Sequence, residues 1–194
     1  MAEDLRSAYY EPHALVALDR HVAVYGLITD ETRVVAQRAA ALCGLPAIDL
    51  QRLVEHRAGR SLADLATERG VEWVEEEEAR ALREALRDRP LGVISLSDGV
   101  LRREAELALA RSSTTLVVLD LDLASLFWRL RTHYGEGAPW HPFEPAVGSL
   151  DDLRDYFGAR EASLAAARHR LPARGRSPER LARDLADLLL APAA

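Results

Sequence analysis

The 194-residue sequence contains no lysine, because all 25 of its Lys and Arg positions are arginine, and it contains no asparagine. The codon usage of a GC-rich genome explains most such replacements. It rarely removes a lysine that takes part in catalysis, however. The composition therefore excludes every site whose chemistry depends on a lysine side chain.

Cysteine and long apolar runs are also scarce. Cys43 is the single cysteine, so no internal disulfide can form, and its expected role is that of a small buried hydrophobe. The first residues are acidic and lead into no long apolar stretch, which predicts neither a signal peptide nor a membrane span. We therefore expect a cytoplasmic protein that does not contact a membrane.

The charge balance is acidic, with a formal net charge of -6. Nucleic-acid binding normally needs an excess of basic charge, and this chain shows none overall. Residues 168–183 carry six arginines, but Glu179 and Asp184 lie in or beside that segment, which favours a solvated surface. We predict no nucleic-acid partner.

Strand and helix patterns alternate along the chain, which predicts a parallel sheet covered by helices on both faces. The strands are expected at residues 21–26, 45–48, 91–96, 115–119 and 169–171, the last at an edge. The helices are expected at residues 34–43, 50–56, after an N-cap at Ser61, 72–87, 123–131, 150–168 and 177–190. The apolar content of 48% suits one domain with a full core. We predict an α/β three-layer sandwich with a five-stranded parallel sheet.

Two segments lie outside this regular alternation. Residues 1–20 form an N-terminal arm before the domain at 21–194, and residues 132–160 include a long loop rich in proline and glycine. A connection of this length is typical of a lid over a site. Aromatic residues in both segments suit contact with a protein partner; these are Tyr9, Tyr10 and Trp140.

The stretch after the first strand corresponds in position to a Walker A phosphate loop, G-x-x-x-x-G-K-[ST], and runs from Gly26 to Arg33. In that motif the lysine reaches the outer phosphates and the hydroxyl residue holds Mg²⁺. Only the first glycine is present. Glu31 stands at the second glycine, Thr32 at the lysine and Arg33 at the hydroxyl residue.

Two further stretches carry a family resemblance. Residues 44–51, GLPAIDLQ, resemble the G-L-P-F-I-D-x-D pattern of the shikimate kinases, which are small P-loop kinases. Residues 55–65, EHRAGRSLADL, resemble the E-x-R-x-G-x-S-I-x-[ED]-[IL] signature of the same family. The similarity spans roughly residues 22–190. It implies P-loop kinase topology and, in an active member, ATP and Mg²⁺ as cofactors with shikimate as substrate.

The resemblance places further changes in the substrate cleft. Asp49 matches the first aspartate of D-x-D, whereas Gln51 replaces the second, which grips the shikimate hydroxyls in the family. Glu75 stands where the arginine of the family's F-R-x-x-E pattern binds the substrate carboxylate. Two like charges about 4 Å apart repel by about 4 kcal/mol at an effective dielectric constant of about 20. Shikimate is therefore not expected to bind as it does in the family.

Five other positions complete this comparison. The family's G-G-G appears as Ser97, Asp98 and Gly99, and the lid arginine of R-P-L-L aligns with His141. Arg160 keeps the expected position of a second substrate-binding arginine. The cleft candidates are therefore Asp49, Gln51, Glu75, Asp98, Gly99 and Arg160.

Each position also has a structural explanation. Gly26 can serve the φ freedom of a strand-to-helix turn, Asp49 can end a strand or cap a helix, and the glutamates at 75–78 can form a solvated helix face. Arg33 from a displaced register is a poor substitute for the lysine, because its side chain points about 100° away. Carboxylates that gather at the strand ends could hold a hard cation, although no ligand spacing demands one; these are Asp30, Glu31, Asp49 and Asp98.

The sequence therefore predicts a non-catalytic protein of this fold that binds a small anionic or hydroxylated ligand, or a protein partner. No cofactor is expected in that case. The alternative is an active ATP-dependent kinase for a small hydroxylated molecule, with ATP and Mg²⁺ and with Asp49 as metal-linked carboxylate or general base. Measurable ATP turnover would separate the two.

Overall fold

The fold is built on one five-stranded parallel sheet, seen in a computed structural model that describes residues 16–26, 28–97, 99–135, 149–158 and 160–191. The strand order is β2-β3-β1-β4-β5, and all four pairings are parallel. The strands are β1 (His21–Tyr25), β2 (Ala47–Asp49), β3 (Val93–Ser95), β4 (Thr114–Asp120) and β5 (His169–Pro172). The predicted fold class and all five strands are confirmed, including β5 at an edge.

The described helices cover both faces of the sheet. They are α1 (Thr29–Leu42), α2 (Leu50–Ala58), α3 (Leu62–Arg69), α4 (Val71–Asp88), α5 (Glu104–Ser113), α6 (Leu123–Tyr134), α7 (Leu150–Gly158), α8 (Glu161–Ala165) and α9 (Pro178–Leu190), with a 3₁₀ helix at Gly99–Arg102. Core residues of α2, α3, α4 and α5 pack on one face. Core residues of α1 and α9 pack on the other, which gives the three layers.

Two helix predictions were wrong, and two further elements were not predicted. The first helix begins at Thr29 rather than at Val34, so it takes in residues that the phosphate-loop comparison left as a loop. The segment expected as one helix over 150–168 contains two, α7 and α8. The 3₁₀ helix and α5 between β3 and β4 were not predicted, although a parallel connection requires a crossover element.

Local signals explain several of the boundaries. Ser61 caps α3 as predicted, because its Oγ accepts a hydrogen bond from the backbone N–H of Asp64 at 3.2 Å. Gly59 ends α2 with a left-handed φ of 68°, a conformation that favours glycine. Cys43 is buried, as expected of a small hydrophobe.

The β2 edge of the sheet brings two backbones unusually close together. A Cβ at Gly92 would lie 2.3 Å from the carbonyl oxygen of Pro46, so only glycine fits there. The neighbouring N–H of Val93 donates to that same carbonyl at 2.9 Å. This contact holds β2 against β3 and fixes the position at which Asp49 leaves the sheet.

Of the lid and the N-terminal arm, the structure describes only parts. Residues 1–15 and 136–148 lie outside the described residues, and with them His141, Trp140, Tyr9 and Tyr10. Leu18, near the end of the arm, packs against the core on the α1 and α9 face. Across the described ranges, the helices lack the combination of length and apolar character that crossing a bilayer requires.

Candidate functional site

The turn after β1 is shaped by close packing. A Cβ at Gly26 would lie 3.2 Å from Cβ of Leu119 and 3.3 Å from Oγ1 of Thr32. Gly26 does not have a positive φ, so the explanation from φ freedom is wrong. A larger residue would be crowded there, because β4 and the start of α1 approach the backbone from two sides.

The residues at the end of the phosphate-loop motif lie inside α1. In the motif the helix follows the loop, whereas here α1 begins at Thr29, three residues after Gly26. The N–H of Thr32 donates to the carbonyl of Ile28 at 3.0 Å, and its Oγ1 donates to the same oxygen at 2.9 Å. Thr32 is 1% exposed. Its side chain and its amide are therefore both committed to the first turn of the helix.

Glu31 is engaged with α6. Its Oε1 accepts a hydrogen bond from Nε of Arg129 at 2.8 Å. The other guanidinium nitrogens of Arg129 donate to the carbonyls of Ala173 and Arg176, at 3.1 and 2.8 Å. One arginine thus connects the first turn of α1, helix α6 and the turn before α9.

Arg33 points away from the loop and towards β2. Its guanidinium lies 3.2 Å from a carboxylate oxygen of Asp30 and 3.9 Å from one of Asp49. This direction agrees with the one-position displacement on the helix expected from sequence. The Arg33 side chain therefore joins α1 to the end of β2.

Asp49 combines two roles at that strand end. It is the last residue of β2, and its Oδ1 accepts a hydrogen bond from the N–H of Arg52 at 3.2 Å, which caps α2. Burial raises the pKa of the Asp49 carboxyl, although Arg33 and Arg52 act in the opposite direction. The capping role considered from sequence is confirmed.

A buried carboxyl group that the sequence comparison passed over lies beside Asp49. Glu78 is 2% exposed, and its Oε2 accepts a hydrogen bond from Oγ of Ser97 at 2.7 Å. Gln51 also hydrogen-bonds Glu78. Burial, with a smaller contribution from the charge of Asp49, raises the pKa of Glu78 from 4.5 to about 7 against the effect of these two hydrogen bonds.

The expectation that residues 75–78 form a solvated helix face is therefore wrong. Glu77 and Glu78 are both buried, and Glu78 forms a polar cluster with Gln51 and Ser97. A sequence signal for Glu78 was present. Glu78 occupies the glutamate position of the family's F-R-x-x-E pattern. Gln51 and Ser97, which both replace family residues, are hydrogen-bond partners of this carboxyl group, whose Oε1 is buried without a hydrogen-bond partner among the described residues.

Glu75 has acquired a partner from the 3₁₀ helix. Its Oε1 forms an ion pair with Nη2 of Arg102. A Cβ at Gly99 would lie 3.3 Å from the same oxygen, so Gly99 leaves room for this carboxylate. Arg102 was not singled out from sequence, because no motif contains it. Asp98, between Ser97 and Gly99, lies outside the described residues.

Arg160 lies deep in the domain rather than on the surface. It is 2% exposed, and burial lowers the pKa of its guanidinium to about 9. Its carbonyl accepts a hydrogen bond from Oγ of Ser163, and the carbonyl of Ser163 accepts one from Oη of Tyr25 at 2.5 Å. These contacts anchor the start of α8 to the end of β1.

Metal binding is not supported by the described part of the chain. Among residues 16–26, 28–97, 99–135, 149–158 and 160–191, no group of three His, Cys, Asp or Glu side chains is arranged to hold a metal ion. Asp30 and Glu31 pair with Arg33 and Arg129. The carboxylates considered as cation ligands therefore lie against arginines where they are described.

Comparisons with known proteins give a consistent picture. A sequence model described as shikimate kinase matches residues 33–189. A shikimate kinase from Symbiobacterium thermophilum is 30% identical over 149 residues, which cover 77% of this chain and 83% of that relative. One from Dictyoglomus turgidum is 27% identical over 96 residues, or 50% of this chain and 56% of the relative. The matched region begins at Arg33 and leaves out the preceding loop positions.

Solved structures share the fold. Shikimate kinase from Acinetobacter baumannii in complex with shikimate superposes with a TM-score of 0.70 at 16% identity, covering 88% of this chain and 93% of that one. The enzyme from Aquifex aeolicus gives a TM-score of 0.67 at 18% identity, covering 87% and 96%. At these identities the likeness establishes architecture, and the site residues must be judged by their own chemistry.

Proposed function

Because this chain belongs to the shikimate kinase family, as the match over residues 33–189 establishes, we propose that it keeps the family's fold without its phosphotransfer activity and acts as a non-catalytic binding protein. An active member needs a loop whose backbone N–H groups surround the phosphates and a lysine that reaches them. The chain contains no lysine.

The observation that carries this proposal is the early start of α1. Positions 29–33 form the first turns of the helix, and the amide and hydroxyl of Thr32 both donate to the carbonyl of Ile28. A phosphate group would need such donors to point outwards. The geometry supports loss of the anion cradle and not only loss of one side chain.

Electrostatics add to this effect. A helix N-terminus attracts anions, but here Asp30 and Glu31 occupy the first turn of α1. An ATP phosphate about 4 Å from either carboxylate would be repelled by about 4 kcal/mol at an effective dielectric constant of about 20. Arg129 offsets part of the Glu31 charge, yet its guanidinium donors are shared among Glu31, Ala173 and Arg176.

The substrate side supports the same conclusion. Gln51 and Ser97 use their polar groups on Glu78, and Glu75 pairs with Arg102. The pairing weakens the repulsion of a substrate carboxylate that the sequence alone indicated. It also engages the Arg102 guanidinium, so this ion pair does not restore the binding arginine that Glu75 replaces.

The test is phosphotransfer from ATP to shikimate in the presence of Mg²⁺, with unfolding temperature as a readout of nucleotide binding. We expect no turnover and no Mg²⁺-dependent shift at millimolar ATP; a ligand at 100 times its Kd would add about 2.7 kcal/mol of stability. The control is Asp49→Asn. Turnover that persists in this variant indicates a contaminating kinase, whereas turnover that the substitution abolishes overturns the proposal.

The alternative, an active kinase with an atypical loop, makes the opposite prediction. Asp49 would then act as metal-linked carboxylate or general base, and its raised pKa suits a proton acceptor. That function requires ATP turnover with a shikimate-like polyol that depends on Asp49.

A further inference from the structure

An open cleft lies along the β2 edge of the sheet, on the face covered by α1. Since β2 is an edge strand, α1 packs against the neighbouring strands and leaves part of this face uncovered. The cleft has a volume of about 270 Å³, and its walls come from α1, α2 and the segment between α4 and β3. Its floor is apolar and includes Ala36, Ala47 and Val93.

Basic side chains dominate the rim of this cleft. Arg33, Arg52 and Arg89 line it from three different segments of the chain, together with His56. The carboxylates near these groups are Asp49, within the cleft, and Asp30, which pairs with Arg33. In a chain with a net charge of -6, a concave surface with more arginines than carboxylates is a local reversal of charge.

Asp49 lies close to two of the arginines. Its Oδ2 lies 3.9 Å from Nε of Arg33 and 3.9 Å from Nε of Arg52, so guanidinium groups from α1 and α2 both lie near this one carboxylate. The capping bond from the Arg52 N–H fixes the carboxylate in turn. Two neighbouring guanidinium groups suit a phosphate dianion, because each can donate a pair of hydrogen bonds to its oxygens.

We propose that this cleft binds a small phosphate monoester, with Arg33, Arg52 and Arg89 around the phosphate and the carbon body on the apolar floor. Its volume of about 270 Å³ lies just below the range of about 300–1,000 Å³ that is typical of small-molecule sites, which favours a ligand smaller than a nucleotide. This ligand class belongs to the non-catalytic role proposed above. The inference rests on that proposed function in one respect: the phosphate is bound and is not transferred.

Isothermal titration calorimetry tests the site with inorganic phosphate and glycerol 3-phosphate as probes, at constant ionic strength maintained with sodium chloride. The cleft variant is Arg52→Gln with Arg89→Gln. The control variant is Arg87→Gln with Arg111→Gln, which removes the same charge from exposed positions outside the cleft. All four side chains belong to exposed residues, and thermal melts of both variants verify that they fold.

We expect saturable binding to the wild type and the control variant, and affinity weaker by about tenfold or more in the cleft variant, because two charged donors are lost. Equal loss in both double variants would attribute binding to net charge and overturn the proposal. Absence of saturable binding to the wild type would overturn it too, while leaving the loss of kinase activity intact. Conversely, ATP turnover would overturn the proposed loss of kinase activity, but phosphate binding that depends on Arg52 and Arg89 would still support the cleft as a binding site.

Discussion

Glu78 gives the sharpest test of the buried polar cluster, because its charge should oppose folding at neutral pH. Burial raises the pKa of Glu78 in the folded protein to about 7, against an ordinary value of 4.5. The folded state therefore prefers the protonated carboxyl. Its contribution to stability is complete below about pH 4.5 and is lost as the pH rises through about 7.

The structure sets the size of the effect. The difference between a pKa of 4.5 and one of about 7 corresponds to about 3 kcal/mol. Glu78→Gln keeps the shape and a neutral group, and the amide oxygen still accepts from Ser97. We expect the stability of the variant relative to wild type to rise by about 2–3 kcal/mol between pH 5 and pH 8.

Urea unfolding at pH 5 and pH 8 measures this difference. The matched control is Glu76→Gln, which changes an exposed glutamate on the same helix, and we expect little pH-dependent change from it. A Glu78→Gln advantage that is the same at both pH values would refute the reasoning, because the carboxyl would then carry no burial penalty on its charged form.

Two further predictions concern the start of α1. Thr32→Lys restores the motif residue at a position that is 1% exposed. We expect the free energy of unfolding to fall by about 2 kcal/mol or more and calorimetry to detect no ATP binding. Nucleotide binding by this variant would show that the first turn of α1 opens. Arg129→Gln removes the cation beside Glu31 and the hydrogen-bond donors to the carbonyls of Ala173 and Arg176. We expect urea unfolding to show a loss of about 1–3 kcal/mol in the free energy of unfolding, against less than about 0.5 kcal/mol for the exposed control Arg154→Gln. Equal losses in the two variants would contradict the bridging role.

The sheet was predictable from sequence because each buried strand is a short apolar run bounded by turn residues. The start of α1 was not predictable in the same way. The phosphate-loop motif assigns residues 29–33 to a loop that carries phosphate-binding groups, whereas these residues can equally form the first turns of a helix. Once those groups are replaced, nothing prevents the first turn from closing. Loss of the phosphate-binding residues thus accompanies an earlier start of α1, which a residue-by-residue comparison of sequences does not show.

The candidate site was predictable in part. Asp49 and Gln51 follow a predicted strand, and their position near the sheet edge follows from that. The partners of Glu31 and Glu75 were not predictable, because Arg129 and Arg102 belong to no motif and reach their carboxylates only through the tertiary fold. Glu78 was hidden for a similar reason: a run of glutamates on a helix looks solvated until the packing of α4 shows which of its faces is buried.

The bridge made by Arg129 makes residue 31 dependent on distant parts of the chain. A change of Glu31 to glycine, the residue of the phosphate-loop motif, would leave the guanidinium without its carboxylate and weaken the connection between α6 and α1. A change of Thr32 to lysine would place a cation in the core. Each of these two steps towards a working phosphate loop is therefore expected to lower stability before any benefit appears, so sequences that evolve from this one by either step would pass through a less stable protein before nucleotide binding could return.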